Sequence, residues 1–237
     1  MSTEIAQLMT FIGSNRAPIA PMSINVSQLG FANFYWSTGG EDVAMRQLFK
    51  AKIAHKEPGI YVDIGCNRPS FISNTYMFYC LGWSGLGIDA DDFASEWSLA
   101  RPKDIFEQVA VGEEAGEAFF FRHTTNHGMH YVSRDECPRS PHYEPARRIR
   151  VRRLEDLFSQ HLKSKQIDFM SLDIEGEELE ALKSNDWSRW RPHAVIMECE
   201  FNFTEPYAAA PVAYLRNLGY ELVGKLGANV ILKDGTQ

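Results

Sequence analysis

The apolar residues of this chain fall into short continuous runs that are separated by segments of helical periodicity. The clearest case is residues 59–89, where an apolar run at 61–64 is followed by a loop, a helical segment at 73–81 and a second apolar run that ends at Asp89. Short apolar runs are typical of strands buried on both faces, and helices between them are typical of parallel sheets. This stretch therefore predicts a strand, a loop, a crossover helix and a second strand.

The same pattern continues to the C-terminus and predicts a single α/β domain. Two runs at 220–226 and 229–233 are separated by Gly227 and Ala228, which predicts a β-hairpin. No internal repeat or heptad pattern interrupts this order. Further strands are predicted at 105–111, 118–122, 147–153, 167–172 and 194–201. Further helices are predicted at 41–49, 92–100 and 154–163, and another is predicted to begin at Glu175.

Length and charge narrow the class of protein. A chain of 237 residues that is 44% apolar has the size of one sizeable α/β domain, which we assign to residues 37–237. Residues 1–36 contain Pro18 and Pro21 but no motif, so they form an N-terminal extension that can cover the active site or form a homo-oligomer interface. The net charge of −7 gives no basic footprint for nucleic acid, which we do not expect as a partner.

The cysteines and the N-terminal residues indicate the compartment. The four cysteines have no C-x-x-C spacing, which favours free thiols in a reducing compartment over a zinc site. The N-terminus combines an early acid, Glu4, with a short apolar patch, which is neither a secretory signal nor a membrane span of about 20 residues. The sequence therefore predicts a cytoplasmic protein.

The loop after the first strand carries candidate ligand contacts. Gly65 permits a sharp turn and a close approach of backbone N–H groups to a ligand, but the G-x-G-x-x-G pattern that binds a dinucleotide is absent. Asp89 ends the second strand, where nucleotide-binding folds hydrogen-bond a ribose, and Asp63 can accept from an ammonium group. This favours a ligand with a ribose and no diphosphate, such as S-adenosylmethionine. The alternative is an ordinary crossover whose acids only cap helices.

Three blocks of sequence carry a resemblance to a known family. The first block comprises 62–69 (VDIGCNRP), 73–75 (SNT), 82–85 (GWSG) and 88–89 (ID), the second is 167–178 (IDFMSLDIEGEE), and the third is 191–198 (RPHAVIME). In this order they resemble the FkbM family of S-adenosylmethionine-dependent methyltransferases, over most of the chain between residues 41 and 201. One departure is Arg68-Pro69, where many family members carry another glycine.

The resemblance implies both a fold and an activity. The fold is that of class I methyltransferases, a Rossmann-like α/β fold with a seven-stranded, mostly parallel sheet and a C-terminal antiparallel hairpin. The activity is S-adenosylmethionine-dependent O-methylation of a hydroxyl on a small polar acceptor, a sugar or nucleotide sugar in glycan or natural-product biosynthesis. Two alternatives stay open, a nucleotide-dependent oxidoreductase or epimerase and a non-catalytic S-adenosylmethionine-binding module.

The resemblance also implies the residues that bind the cofactor. Asp63, Gly65 and Asn67 are expected at its methionine end, and Asp89 at its ribose. Hydroxyl and amide groups at the start of the crossover helix are expected to donate to its carboxylate, and the segment 108–112 to border its adenine. The complete set is Asp63, Gly65, Asn67, Ser73, Asn74, Thr75, Asp89, Ala90 and Val109.

Two rival hypotheses describe how the acceptor hydroxyl loses its proton. The irregular stretch 123–146 carries three histidines within eight positions, and His127 or His130 is a candidate general base because histidine titrates near neutral pH. The rival is a divalent ion between the ends of the fourth and fifth strands, with Asp173 and Glu198 as catalytic acids. Its oxygen ligands would be Asp173, Glu198, Glu200 and Asn202, which suit Mg²⁺ or Mn²⁺.

One predicted strand has a basic face. Arg148, Arg150 and Arg152 alternate with Ile149 and Val151, as expected for a half-buried strand. Such a face is either solvated or binds an anionic group on the acceptor, which arginine can contact in bidentate fashion.

Overall fold

The computed structural model describes residues 35–126, 129–136, 140–162, 166–199 and 209–236. Of the predicted N-terminal extension only Tyr35 and Trp36 fall within these ranges, so the division into extension and domain stays a prediction.

The described residues contain eleven strands and seven helices. The strands are β1 Ile60–Ile64, β2 Ser84–Asp89, β3 Ile105–Gln108, β4 Ala110–Val111, β5 Gly116–Phe121, β6 Tyr131–Ser133, β7 Arg147–Arg152, β8 Phe169–Leu172, β9 Ala194–Glu198, β10 Tyr220–Leu226 and β11 Asn229–Asp234. The helices are α1 Glu41–Leu48, α2 Lys50–Ala54, α3 Tyr76–Cys80, α4 Ala94–Ala100, α5 Leu154–His161, α6 Glu178–Lys183 and α7 Ala210–Asn217.

The larger sheet has seven strands in the order β10-β11-β9-β8-β1-β2-β3. The five strands from β9 to β3 pair in parallel, whereas β11 lies antiparallel between β9 and β10. All four residues of β8 are buried, as expected for a central strand covered on both faces. The prediction of an α/β fold with a large, mostly parallel sheet is confirmed.

A second sheet of four strands, in the order β4-β7-β5-β6, was not predicted as a separate layer. The predicted strand 105–111 is wrong as a single element, because β3 pairs with β2 in the larger sheet while β4 pairs with β7 in the smaller one. The change of partner occurs at Val109, whose N–H donates to the Asp89 carbonyl at 2.9 Å. One predicted strand thus supplies residues to two different sheets.

Two helices begin later than the periodicity predicts. The crossover helix, predicted from residue 73, begins at Tyr76, because the Ser73 hydroxyl accepts from the backbone N–H groups of Thr75 and Tyr76 at 3.3 and 3.1 Å. The helix predicted to begin at Glu175 begins at Glu178 instead. Glu175 and Gly176 have left-handed φ angles of 58° and 104°, which a helix cannot contain.

The helices of the described residues are short. The longest of them, α1, α5 and α7, have eight residues each, far below the roughly 20 apolar residues that a membrane span requires. No helix in this part of the chain could cross a membrane.

Candidate active site

Two adjoining cavities lie between the carboxyl ends of the parallel strands and the smaller sheet. The first, here called the apolar cavity, has a volume of about 330 Å³ and is walled largely by aliphatic side chains. The second, here called the acidic cavity, has a volume of about 270 Å³ and contains Asp173, Glu175 and Glu198 in its wall. Both cavities share Gly65, Asp89, Ala90, Val132 and Ile174.

Gly65 occupies the junction of the two cavities, directly after β1. Its φ angle of 74° is in the left-handed region, and a Cβ at this position would lie 1.7 Å from the carbonyl oxygen of Asp173. The Gly65 N–H donates to the Ile88 carbonyl at 2.9 Å. No other residue fits here, because a side chain would collide with the backbone that follows β8.

Asp89 ends β2 and is held at both carboxylate oxygens. Its Oδ2 accepts from the Asn67 N–H and its Oδ1 from the Asp91 N–H, both at 2.7 Å. Withdrawal from bulk water raises its pKa to about 6, although these two hydrogen bonds favour the charged form. The carboxylate is therefore fixed in position at the boundary of both cavities, with lone pairs left for a ligand hydroxyl.

Asn67 is positioned by the same contacts. It has a left-handed φ angle of 50°, and its carbonyl accepts from the Trp97 indole N–H at 2.8 Å. Of the remaining predicted cofactor residues, Ala90 lines both cavities and Val109 lines the apolar cavity. Asn74 is half-buried and donates from Nδ2 to the Ser171 hydroxyl at 3.1 Å.

Asp63, Ser73 and Thr75 form a buried network around Arg101. The guanidinium of Arg101, which is fully buried, donates to the hydroxyls of Thr75 and Ser73 at 2.8 Å each. The Thr75 hydroxyl in turn donates to Asp63 at 2.5 Å. Burial raises the pKa of Asp63, whereas the charge of Arg101 opposes that rise.

This network corrects two expectations. Ser73 and Thr75 were predicted to donate to the cofactor carboxylate, but their hydroxyls are committed to internal partners and neither residue lines the two cavities. Asp63 is 4% exposed and also absent from the cavity walls. Its predicted contact with an ammonium group conflicts with this geometry. Arg101, on which the network depends, was missed because its partners are distant in sequence.

Three carboxylates converge at the ends of β8 and β9. Asp173, Glu175 and Glu198 each offer an oxygen within 4.8 Å of the others. Asp173 is accessible from the cavity, yet the dense surroundings raise its pKa well above the ordinary value, and the neighbouring Glu198 raises it further. The structure therefore brings the predicted pair Asp173 and Glu198 together.

Glu175 is a member of this cluster that the sequence reasoning missed. Its left-handed backbone turns the chain so that the residue two places after Asp173 faces the same cavity. Behind it, Glu178 Oε1 accepts from the N–H groups of Ile174 and Gly176 at 3.1 and 3.3 Å and so holds this turn. The spacing Asp-x-Glu-Gly could have suggested such a turn, since glycine favours the left-handed region.

His130 lines the acidic cavity but is committed to structural contacts. Its Nδ1 accepts from the His123 N–H at 3.0 Å, and its Nε2 lies 4.0 Å from Asp91 Oδ2. A neutral imidazole has one lone pair, here on Nδ1 and already used. This arrangement does not favour His130 as a general base.

Three predicted site residues, His127, Glu200 and Asn202, lie outside the described residues. Their predicted roles stay predictions.

The basic face of β7 points away from both cavities. Arg148 pairs with Glu117 at 3.3 Å, and both side chains are about 70% exposed. Arg152 donates to Gln160 at 2.8 Å, while Val151, on the other face, lines the apolar cavity. Neither cavity has Arg148, Arg150 or Arg152 in its wall, so these arginines could not contact an anionic acceptor bound in either cavity.

Comparison with known proteins identifies the family. No curated protein matches the chain. The solved structure of monomeric WbdD aligns over 96% of this chain and 48% of that one, with 14% sequence identity and a TM-score of 0.45, so the chain spans about half of that protein's length. The family model of the methyltransferase FkbM domain matches residues 63–222, about two thirds of the chain. The chain belongs to the FkbM methyltransferase family.

Proposed function

We propose that this protein is an S-adenosylmethionine-dependent O-methyltransferase that acts on a hydroxyl of a small polar acceptor. The observation that carries the proposal is the junction of the two cavities at Gly65 and Asp89. The apolar cavity combines a largely aliphatic wall with Glu113, Glu114, Glu177 and Glu180, whereas the acidic cavity holds the clustered carboxylates of Asp173, Glu175 and Glu198. A methyltransferase requires two adjoining sites, because the cofactor and the acceptor must meet at the methyl group.

The sheet order supports the class I methyltransferase fold. Its five parallel strands are followed by a C-terminal hairpin, β10 and β11, whose last strand inserts antiparallel beside β9. An antiparallel seventh strand of this kind is the feature that the family resemblance implies. The cavities lie at the carboxyl ends of the parallel strands, where open α/β sheets bind their ligands.

The cavity residues fit S-adenosylmethionine. The apolar cavity, with Val109 in its wall, suits the adenine, and the Asp89 carboxylate suits the ribose hydroxyls. Gly65 lies in the wall of both cavities, where the chain that leads from the ribose to the sulfonium would pass. Each cavity is near the lower end of the roughly 300–1,000 Å³ typical of ligand sites, and together they can hold one cofactor and part of an acceptor.

The acidic cavity supplies a proton acceptor. When bound, S-adenosylmethionine provides an electrophilic methyl group, so the protein must align the acceptor hydroxyl with it and remove the proton. We assign the removal to Asp173, which faces the cavity and whose pKa is raised well above its ordinary value by its dense surroundings and by Glu198. Glu198, hydrogen-bonded to Asp173, orients it. A carboxylate whose pKa is raised is a stronger base than an ordinary one.

The same carboxylates offer a second arrangement. Asp173, Glu175 and Glu198 place three oxygens close enough to hold one divalent cation, for which hard oxygen ligands suit Mg²⁺ or Mn²⁺. A bound cation would lower the pKa of the acceptor hydroxyl as a Lewis acid. Dialysis of the active enzyme against EDTA separates the two arrangements. Activity that survives chelation leaves Asp173 as the base, whereas activity lost and restored by Mg²⁺ or Mn²⁺ assigns the cluster to a cation.

The cofactor is tested by calorimetry with the purified protein. We expect S-adenosylhomocysteine to bind to the wild type and NAD not to bind, because the turn at Gly65 lacks the glycines of a pyrophosphate site. Binding of NAD in place of S-adenosylhomocysteine would support the oxidoreductase or epimerase alternative and end the proposal.

Turnover is tested with a labelled methyl group and a panel of hydroxyl acceptors, including neutral glycosides and nucleotide sugars. Transfer to an oxygen of any member establishes O-methylation, and it excludes a non-catalytic cofactor-binding module. Binding of S-adenosylhomocysteine without transfer to any acceptor would favour the binding module. The sugar class of the acceptor, the cytoplasmic location and a homo-oligomeric state stay predictions from the sequence.

A further inference from the structure

One buried carboxylate joins the two sheets beside the cofactor site. Asp91, two residues after Asp89, is 2% exposed and forms ion pairs with the guanidinium groups of Arg122 and Arg147, the latter at 2.8 Å. The ring of His130 lies 4.0 Å away. Burial would raise the pKa of Asp91, but the hydrogen bonds from Arg122 and Arg147 outweigh it and lower the pKa below the ordinary value. Asp91 is therefore charged at neutral pH.

The partners of Asp91 lie at the ends of three strands of the smaller sheet. Arg122 directly follows β5, Arg147 is the first residue of β7, and His130 directly precedes β6. The Arg147 guanidinium also lies 5.0 Å from the ring centroid of Phe120, and that ring meets His130 edge to face at 5.7 Å. We call Asp91, Arg122, Arg147 and His130 the Asp91 clamp. It fixes one end of the smaller sheet against the loop that follows β2.

The clamp acts on the cofactor site through two connections. The Asp91 N–H donates to Asp89 Oδ1 at 2.7 Å, so the position of Asp91 sets the orientation of the carboxylate assigned to the ribose. The smaller sheet, which the clamp holds, contributes Phe120 and Val132 to the cavity walls opposite Asp89. Asp91, Arg122 and Arg147 themselves line neither cavity.

We propose that Asp91 is a positioning residue that holds the smaller sheet over the cofactor site and fixes Asp89 for the ribose, an inference that rests on the proposed function. Loss of the Asp91 charge leaves Arg122 and Arg147 without their shared partner and separates the two walls of the site. Cofactor affinity falls as a result, although no cofactor contact has been removed.

The test compares Asp91→Asn with Asp92→Asn by calorimetry with S-adenosylhomocysteine. Asp92 is the adjacent, exposed acid, whose contact to the Ala94 N–H an asparagine can retain. We expect the dissociation constant to rise about ten- to hundredfold in Asp91→Asn and to stay at the wild-type value in Asp92→Asn. In turnover assays the cofactor KM should rise by the same factor while kcat at saturating cofactor changes by less than about threefold. A general loss of structure would instead lower kcat, because less of the enzyme would be active.

Arg147 provides an independent variant if Asp91→Asn does not fold, since its side chain is 45% exposed. Arg147→Gln should weaken binding of S-adenosylhomocysteine, Arg147→Lys should restore part of the loss, and Arg148→Gln, on the opposite face of β7, should not change it. The double variant Asp91→Asn with Arg147→Gln should bind no more weakly than Asp91→Asn alone, because both remove the same contact.

Wild-type affinity in folded Asp91→Asn and Arg147→Gln would overturn the positioning role while leaving the proposed function intact. Failure of the wild type to bind S-adenosylhomocysteine would overturn the proposed function and this inference with it.

Discussion

The acids at the ends of β1 and β2 are built differently from those at the ends of β8 and β9. Asp63 and Asp89 are each held by hydrogen-bond donors, from Thr75 in one case and from two backbone N–H groups in the other. Asp173 instead faces Glu198, which makes the charge of Asp173 more costly. The carboxylates of the first region already have hydrogen-bond donors from the protein. In the second region, a proton, a cation or a hydroxyl donor would stabilise the clustered carboxylates. On the proposed function, the first region belongs to the cofactor site and the second to the acceptor site.

The largest effect is expected from the glycine between these two regions. In Gly65→Ala a methyl group would collide with the Asp173 carbonyl, and the left-handed φ angle would be strained as well. We expect a loss of about 3–5 kcal/mol in the free energy of unfolding and no measurable binding of S-adenosylhomocysteine. Denaturant unfolding and calorimetry measure the two effects.

Gly82→Ala is the matched control, because Gly82 also has a positive φ angle but open space around its Cβ position. It should cost about 1–2 kcal/mol without a change in affinity. An equal loss of stability in both variants would show that the contact between the two regions is not tight.

The next largest effect tests the cost of charge in the second region. Asp173→Asn removes the assigned base, so turnover should fall about a hundredfold or more with S-adenosylhomocysteine binding retained. Turnover within a few-fold of the wild type would show that another group takes the proton.

Stability of Asp173→Asn should change in the opposite direction from activity. Because the folded pKa of Asp173 is raised, its ionisation destabilises the fold as pH rises above the ordinary value of 3.8. Asp173→Asn should therefore unfold at a higher denaturant concentration than the wild type at about pH 8, and this advantage should disappear as the pH approaches 3.8. A constant difference at every pH would contradict the assignment of the raised pKa.

A smaller effect is expected in the first region. On the proposed function, Asp89 accepts two charge-assisted hydrogen bonds from the ribose, so Asp89→Ala should raise the dissociation constant of S-adenosylhomocysteine about tenfold to several-hundredfold. Since the pKa of Asp89 is about 6, affinity in the wild type should also fall as pH drops through that value, and Asp89→Asn should lack this dependence. Unchanged affinity would leave Asp89 with only its backbone partners.

The smallest effect concerns the histidine between the regions. His130→Gln keeps a side chain that can accept from the His123 N–H, and His130 has no free lone pair for the acceptor proton. We expect kcat to fall by less than about tenfold, below the usual contribution of a general base. A hundredfold fall in kcat with cofactor binding intact would restore the histidine hypothesis and displace Asp173.

The sequence predicts most of the larger sheet because its strands are continuous apolar runs whose burial does not depend on exact neighbours. It does not predict that Val109 passes the chain from one sheet to another, since the choice of strand partner depends on tertiary contacts. For the same reason β5 and β7 were predicted as strands without a common layer, and β6 lies in the stretch 123–146, which was predicted to be irregular.

Which residues line the cavities was better predicted from their position at the end of a strand than from their side-chain chemistry alone. Asp89, Asp173 and Glu198 were found because they end predicted strands and so meet at one edge of the sheet. Ser73 and Thr75 have suitable hydroxyl groups, but these groups accept hydrogen bonds from Arg101, a buried arginine that is distant in sequence. Such partnerships have no local pattern.

The parallel pairing of β4 with β7 brings the start and the end of the smaller sheet side by side, at Ala110 opposite Val151. The segment between residues 112 and 151 thus begins and ends at neighbouring points of the smaller sheet. Because Val111 and Arg152 are register partners, a chimera that replaces residues 112–151 has its two junctions side by side in the smaller sheet, which is the geometry of an exchangeable module. An exchange of this kind would alter the walls that the smaller sheet contributes to both cavities and leave the strand ends of the larger sheet unchanged, provided that Arg122, His130 and Arg147 are kept to anchor the module to Asp91.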